Sequence, residues 1–326
     1  MRFTGLQPQD DRDAIQELRS TPPGLINSTG AAKRRQVFGA ALEQWDELLE
    51  AGMRASAATA PILLFYSLAQ AGRAISAAHV RDGWEHGGHG LRHRVDSARP
   101  ALTSVTVEPW GQRSVFHNVM QVLGEPPLTS AVPLSAVWAG NVKLRPSSAL
   151  GAGFPRALSV SAIGMPDEDH HRGALTLQQI GLPSDADHAL VLGGLAGTLE
   201  AYEQRGAVAA FQSVTHSWPD MLVEVMWERD GDSVPLNRVT DAWLGRGSYT
   251  LSPRLNEEGD SLGQFANWWV VLFSLSNLAR YEPGLWRQAL DLDGSTAAVP
   301  LQEALAIAAE LLPRLVLLAL GGEPLS

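Results

Sequence analysis

The stretch that decides the fold is FYSLAQAGRAISAAHVRDGWEHGGHGL, which runs from Phe65 to Leu91. Its first part has apolar or small residues on nearly every side of a helix, which predicts a central helix that is buried almost all round. The helix is expected to end near Val80, where an Asp-Gly pair favours a turn. The stretch ends in histidines, glycines and a tryptophan, and this is either a site of chemistry or a turn between two elements.

The histidines of this stretch have two interpretations. His86, His89 and His93 could meet at a metal, but the glycines between them argue against the helix that would align them. Alternatively, the chain turns here, a histidine caps the carbonyls of the preceding helix, and the glycines supply positive φ angles. The turn needs fewer assumptions, so we expect no bound metal.

The composition excludes several classes of function. The 326 residues carry a formal net charge of −10, which argues against a surface that coats duplex DNA. There is no cysteine, which rules out disulfides and thiolate chemistry. The first residues, MRFTGLQPQDDRD, have no apolar run, and the apolar segment 311–320 is shorter than the roughly 20 residues that span a bilayer. We therefore expect a soluble, cytoplasmic protein with no membrane partner.

The rest of the chain separates into a β-rich middle and a second helical region. Segments 102–110 (LTSVTVEPW) and 156–164 (RALSVSAIG) alternate as strands do, and SVFHNVMQVLG and SAVWAG are further strand candidates. Residues 1–30 are polar and are expected to form a loop. The pattern predicts an α+β fold in which N- and C-terminal helices form a helical bundle with a mixed β-rich insert between them. The expected regions are 1–95, 96–258 and 259–326.

Two distant segments together resemble a known family. They are LLFYSLAQAGRAISAAH followed by GHGL, and NWWVVLFSLSNLARYEPGLWRQAL some two hundred residues later. The pair resembles the YaaC-like family of uncharacterised bacterial proteins. This resemblance implies no particular activity.

A further resemblance concerns the helix FYSLAQAGRAI and the His-Gly turn that follows it, which is similar to HEPN helical domains. Some HEPN domains are metal-independent ribonucleases, and others are binding or dimerising modules. In the enzymes, an arginine and a histidine four to six residues later act on the 2′-hydroxyl and the scissile phosphate. The resemblance implies that Arg81 with His86, or Arg73 with His79, forms the catalytic pair. Both depart from the family's pattern, because His79 would lie about 120° from Arg73 on a continuous helix and the second pair crosses a glycine.

Two arginines interrupt apolar helix faces, Arg73 in AGRAI and Arg280 in NLARYEP. A buried arginine needs a carboxylate or carbonyl partner, and three carboxylates are near Arg280 in sequence: Glu282, Asp291 and Asp293. If both arginines face one cleft, the cleft would attract a phosphate-bearing anion. The expected ligand-binding residues are therefore Arg73, Tyr66, His89 and Arg280.

Two tryptophans flank the His-Gly turn, Trp84 and Trp110. Each could cover the turn or stack on a base. Four nearby arginines form either a solvated face or a nucleic-acid contact: Arg73, Arg81, Arg92 and Arg94.

No complete catalytic constellation, phosphate loop or dinucleotide fingerprint is found in the sequence, so no cofactor is expected. The first hypothesis is a non-enzymatic binding or regulatory module. It would hold an anionic ligand, phosphate-bearing or nucleic acid, and would form a homodimer or pair with a partner protein. The alternative is a HEPN-type metal-independent ribonuclease, a toxin or defence component.

Overall fold

The computed structural model describes most of the two helical regions and parts of the middle. Its residues are 8–27, 31–125, 127–154, 157–162, 172–178, 210–217, 220–228, 248–251, 255–256 and 262–321. They contain eight α-helices and two antiparallel sheets. The protein is therefore of the α+β class.

The N-terminal region contains α1 (Pro8–Ser20), α2 (Ala32–Arg54) and α3 (Ala60–His79). The last two pack extensively on each other. Helix α3 has Pro61 in its first turn and ends one residue before Val80, as its sequence predicts. It is buried on most sides.

The expected loop over residues 1–30 is wrong, because α1 occupies thirteen of those residues. Its apolar face is narrow and consists mainly of Ile15 and Leu18, so the polar composition hides it. Helix α1 is held from outside, by packing on the C-terminal helix and by Asp11, whose Oδ1 lies 3.1 Å from Arg314 Nη1.

The C-terminal region contains α6 (Gln264–Tyr281), α7 (Pro283–Ala289) and α8 (Ala298–Gly321). Helix α6 packs on α3, and α8 packs on α1 and α3. Helices from opposite ends of the chain are thus in direct contact. Helix α8 continues through Pro313. By length and composition α8 could cross a membrane, but 56% of its most apolar window is buried, as in a core helix.

The first sheet joins β1 (Leu91–Arg94), β2 (Thr106–Pro109) and β3 (Val132–Pro133) in that order. It unites residues on both sides of the expected boundary at 95/96. The predicted boundaries themselves are not tested and stay predictions.

Two of the predicted strands are helices: α4 (Val115–Leu123) and α5 (Leu134–Ala139). Val115, Phe116, Val119 and Met120 are apolar residues that also recur at helical spacing, and all four are buried. Ser114 caps the N-terminus of α4, because its Oγ accepts from the backbone N–H of His117. The prediction of strands was wrong because a short apolar run fits both the helical period of 3.6 residues and the strand period of 2 residues.

The second sheet contains β4 (Leu158–Ala162), β5 (Arg172–Gln178), β6 (Ala210–Ser217), β7 (Asp220–Glu228) and β8 (Ser248–Leu251). Its strand order is β6-β7-β5-β4-β8. The sequence segments VAAFQSVTH and MLVEVMWERDG resemble a late hairpin or pair of strands, and this prediction is confirmed by the antiparallel pair β6–β7. The sequence ADHALVLGGLAGTLEAYEQ also predicts a helix, at 186–204, and that segment lies outside the described residues.

An aromatic cluster joins α3, α4 and α6. The ring of Phe65 is 6.1 Å from that of Trp269 and 5.5 Å from that of Phe273, and Phe116 is 6.0 Å from Trp269. Gly72 faces Trp269, where a side chain would collide. This cluster fixes α3 against α6 and so positions the surface residues at their ends.

Candidate functional site

Arg280, in the last turn of α6, is the centre of a polar site at the surface. Its Nη1 donates to the hydroxyl of Tyr66 at 2.7 Å, and its Nη2 donates to the hydroxyl of Tyr281, also at 2.7 Å. The guanidinium carbon lies 5.5 Å and 4.7 Å from the centres of the two rings. Arg280 and its two tyrosines, with His89, are called the Arg280 site below.

The charge of Arg280 is not neutralised by a carboxylate. Arg280 is exposed, and none of the described acidic residues forms an ion pair with it, including the three that are close in sequence. The buried arginine expected from the apolar helix face is not found. Its phenol partners fix the position of the guanidinium and leave its charge available.

His89 lies beside Tyr66. Its ring centre is 5.9 Å from that of Tyr66 and 4.9 Å from that of Phe65. Burial, and then the positive charge of Arg280, lower the pKa of His89 below its usual value, which favours the neutral imidazole. Gly88 and Gly90 on either side have φ angles of 87° and 70°, so only glycine at these positions carries the histidine to this place without strain.

Arg73 lies further along α3. It is seven residues after Tyr66, which is about 10 Å along the axis on nearly the same face of the helix. Its exposed guanidinium donates to Gln70 Oε1 at 3.3 Å. The structure therefore joins three of the four predicted ligand-binding residues, Tyr66, His89 and Arg280, and places Arg73 on the same surface without a direct contact to them.

A family model described as YaaC-like Protein matches residues 24–320. The chain belongs to the YaaC-like family. The matched region includes α3, α6 and the whole Arg280 site, so the family resemblance noted in the two helical segments is confirmed. Searches of curated proteins and of solved structures found no significant match. The HEPN resemblance is not shown by these comparisons.

In this YaaC-like protein, the two predicted Arg–His pairs do not make direct contacts. Arg73 is exposed, whereas His79 is half-buried and its Nε2 forms a hydrogen bond of 2.7 Å with the carbonyl of Leu320. Burial lowers the pKa of His79. Arg81 is exposed, and His86 packs over Gly83, where an added Cβ would lie 2.8 Å from its Nε2. Their catalytic role stays a prediction.

The His-Gly stretch forms a turn, and the residue that caps α3 comes from α2. Arg34 Nη1 donates to the carbonyls of Ala77 and Val80, each at 2.8 Å, and its Nη2 donates to that of Arg81 at 2.6 Å. The half-buried Trp84 covers the guanidinium at 4.7 Å. This cap was not predicted, since nothing in the segment KRRQ distinguishes Arg34 from the neighbouring Arg35.

The three histidines whose spacing suggests metal ligands have separate surroundings. His86 packs on Gly83, His89 packs on Phe65, and His93 belongs to the strand β1. Burial lowers the pKa of His93 to about 4, so this half-buried imidazole is neutral at physiological pH. Across the part of the chain that the structure describes, no group of three His, Cys, Asp or Glu side chains is arranged to hold a metal ion.

Proposed function

We propose that this YaaC-like protein is a non-enzymatic binding module for a phosphate-bearing ligand, which it holds at Arg280. The observation that supports this is an exposed guanidinium fixed by two tyrosine hydroxyls and not paired with any described carboxylate. Because the hydroxyls of Tyr66 and Tyr281 accept from Arg280, their own hydrogens can be donated to a ligand oxygen. The site then offers several hydrogen-bond donors and one positive charge, and no described carboxylate is paired with that charge.

Preorganisation favours this ligand. A guanidinium matches two phosphate oxygens at once, and a side chain already held in place loses less conformational entropy on binding. Tyr66 is attached to α3, a helix buried on most sides, so its hydroxyl is a rigid anchor. Arg73, about 10 Å further along the same helix face, would reach a second anionic group of a longer ligand.

Binding is favoured over catalysis by the contacts of the site. Arg280, Tyr66 and Tyr281 are donors, and the neutral imidazole of His89 packs edge-on against Phe65. In the described residues no hydrogen bond joins His89 to a nucleophile. The separate partners of Arg73 and His79 give the ribonuclease alternative no supporting contact.

The test is titration calorimetry of the full chain with three probes: inorganic phosphate, pyrophosphate and ATP. Wild type is expected to bind at least one of them. Arg280→Gln removes the charge and two donors, and should weaken that binding at least about tenfold. Tyr66→Phe removes one donor and should weaken it less. Arg287→Gln, an exposed arginine of α7, is the matched control and should bind like wild type.

Two outcomes would contradict the proposal. One is that none of the three probes binds, and the other is that Arg280→Gln and Arg287→Gln bind equally well. A ribonuclease assay in the presence of chelator distinguishes the binding module from the ribonuclease alternative. RNA cleavage by wild type that disappears in His79→Ala or His86→Ala would support the ribonuclease. The homodimer or partner protein expected from the sequence stays a prediction. Light scattering on the purified chain measures its molar mass and so tests the homodimer.

A further inference from the structure

A second polar surface lies on the outer face of the first sheet. Side chains of a strand alternate between faces, and Arg92 is directly opposite Glu108 in the β1–β2 register. Arg92, Arg94, Glu108 and Trp110 therefore share one face and are called the Arg92–Trp110 surface. The residues between them, such as Val107, point the other way into the core.

Trp110 is an exposed aromatic residue in a fixed position. Its side chain is 57% exposed, although tryptophan is usually well buried. Its backbone N–H donates to the carbonyl of Gly90 at 2.8 Å, and the guanidinium carbon of Arg92 lies 3.0 Å from the ring centre. One face of the indole is thus supported by an arginine, and a large part of the ring is open to solvent.

The charge of this surface is opposite to that of the whole protein. Glu108 Oε1 is shared by two arginines, at 3.2 Å from Arg92 Nη1 and 2.8 Å from Arg94 Nε. One carboxylate cannot neutralise both, so one positive charge remains. Arg113, three residues beyond Trp110, is exposed and forms no ion pair with any residue that the structure describes. A local positive charge on a chain of net charge −10 favours an anionic partner.

We propose that the Arg92–Trp110 surface binds single-stranded nucleic acid. An unpaired base stacks on the open part of Trp110, and a neighbouring phosphate pairs with the positive charge that Arg92 and Arg94 retain beside Glu108. Arg92 Nη1 and Arg94 Nε both lie within 3.2 Å of Glu108 Oε1, so the two guanidinium groups converge at one phosphate position next to the indole. A stacking aromatic beside a positive track is the usual means of binding single strands without sequence preference.

Two other partners fit less well. The bases of a duplex are stacked on each other and are not available to Trp110. An acidic peptide would pair with the arginines but would gain little from an open indole ring. The indole is therefore the feature that selects a nucleic acid from among polyanions.

This surface is separate from the Arg280 site. Arg92 and Arg94 are on the outer face of β1, whereas His89 precedes the strand and packs on Phe65 and Phe273 of the core. The inference does not depend on the proposed function, and different residues test the two.

The experiment measures fluorescence anisotropy of labelled 12-nucleotide oligo-U RNA and oligo-dT with the full chain at low salt. Trp110→Ala should weaken binding about tenfold, the usual loss for one stacked base. Arg92→Gln should also weaken it and reduce the slope of log K against log salt by about 0.7, the value for one phosphate contact on a single strand. Glu108→Gln removes the opposing charge and should strengthen binding.

Arg54→Gln, an exposed arginine at the end of α2, is the control and should bind like wild type. Thermal melting of each variant checks that the fold is intact. No binding of either oligonucleotide up to about 100 µM, near the weak limit of nonspecific binding, would overturn the proposal. So would an unchanged affinity of Trp110→Ala, equal competition by poly-glutamate, or loss of oligonucleotide binding in Arg280→Gln but not in Trp110→Ala.

Discussion

At the scale of single residues, the buried carboxylate of Glu125 links the stability of the fold to pH. It lies at the N-terminus of α6, where an added Cβ on Gly263 would collide with it. Its Oε2 is buried and has no hydrogen-bond partner among the described residues. Burial raises the pKa of Glu125 to about 7, although the backbone N–H of Gly263 opposes this by hydrogen bonding to the carboxylate.

We predict that wild type loses stability relative to Glu125→Gln as the pH rises from about 4.5 to 7, because the unfolded chain releases the proton of Glu125 before the folded chain does. A pKa raised to about 7 corresponds to about 3 kcal/mol, fully lost above pH 7. Glu125→Gln cannot ionise, so it should be more stable than wild type at pH 8 and similar near pH 4.5. Urea unfolding across this range measures the difference, and Glu310→Gln, at an exposed position, is the control. Parallel curves for wild type and Glu125→Gln would contradict the assignment.

Gly72 is the residue that allows α3 to approach both α4 and α6. A Cβ at this position would lie 2.7 Å from Trp269 Cη2 and 2.7 Å from Val115 Cγ1, both in the closely packed core. Alanine normally favours a helix over glycine by up to about 1 kcal/mol, but here the collision dominates.

Gly72→Ala is expected to lower the free energy of unfolding by about 1–2 kcal/mol, the overpacking cost less the gain in helix propensity. The matched control is Gly39→Ala in α2, where an added Cβ meets nothing within 4 Å and should stabilise by about 0.5–1 kcal/mol. Urea unfolding at fixed pH compares the two. If both substitutions changed the free energy of unfolding in the same direction, the close approach of α3 to α4 and α6 at Gly72 would be contradicted.

At the scale of elements, the end of α3 depends on a side chain from α2. Removing the three hydrogen bonds of Arg34 would leave three carbonyls without their donor. We expect Arg34→Ala to lower the free energy of unfolding by about 2 kcal/mol. Arg35→Ala, which removes a single bond of 3.3 Å to Ile26, should cost less than about 1 kcal/mol. Chemical denaturation of both variants is the measurement, and equal losses would rule out a special role for Arg34.

The prediction of elements succeeded where a helix is long and failed where it is short or polar. The C-terminal end of helix α3 was predicted correctly, because an all-round apolar helix followed by an Asp-Gly pair is a strong local signal. Helices α4 and α5, of nine and six residues, were predicted as strands. Segments of this length are too short for the helical period of 3.6 residues to be distinguished from the strand period of 2 residues. Helix α1 was missed because it depends on contacts with α8, which is three hundred residues away.

At the scale of the whole molecule, contact between α3 and α6 brings Tyr66 and Arg280 together from positions 214 residues apart. The resemblance of both helical segments to one family, which the match over 24–320 confirms, is consistent with their forming one structural unit. The sequence predicted part of this site. Tyr66, His89 and Arg280 do meet, but Tyr281 was not expected, and nothing in an isolated tyrosine at a helix end indicates that it holds an arginine.

By itself, the sequence determined the α+β class, the family and the end of α3 near Val80, because these depend on composition and on periodic patterns within one segment. The tertiary structure alone decided which side chains end those helices and which polar groups meet. Arg34 rather than a histidine caps α3, and phenols rather than carboxylates hold Arg280. Such choices depend on where segments that are distant in the chain lie relative to one another in space. A local sequence pattern carries no information about those relative positions.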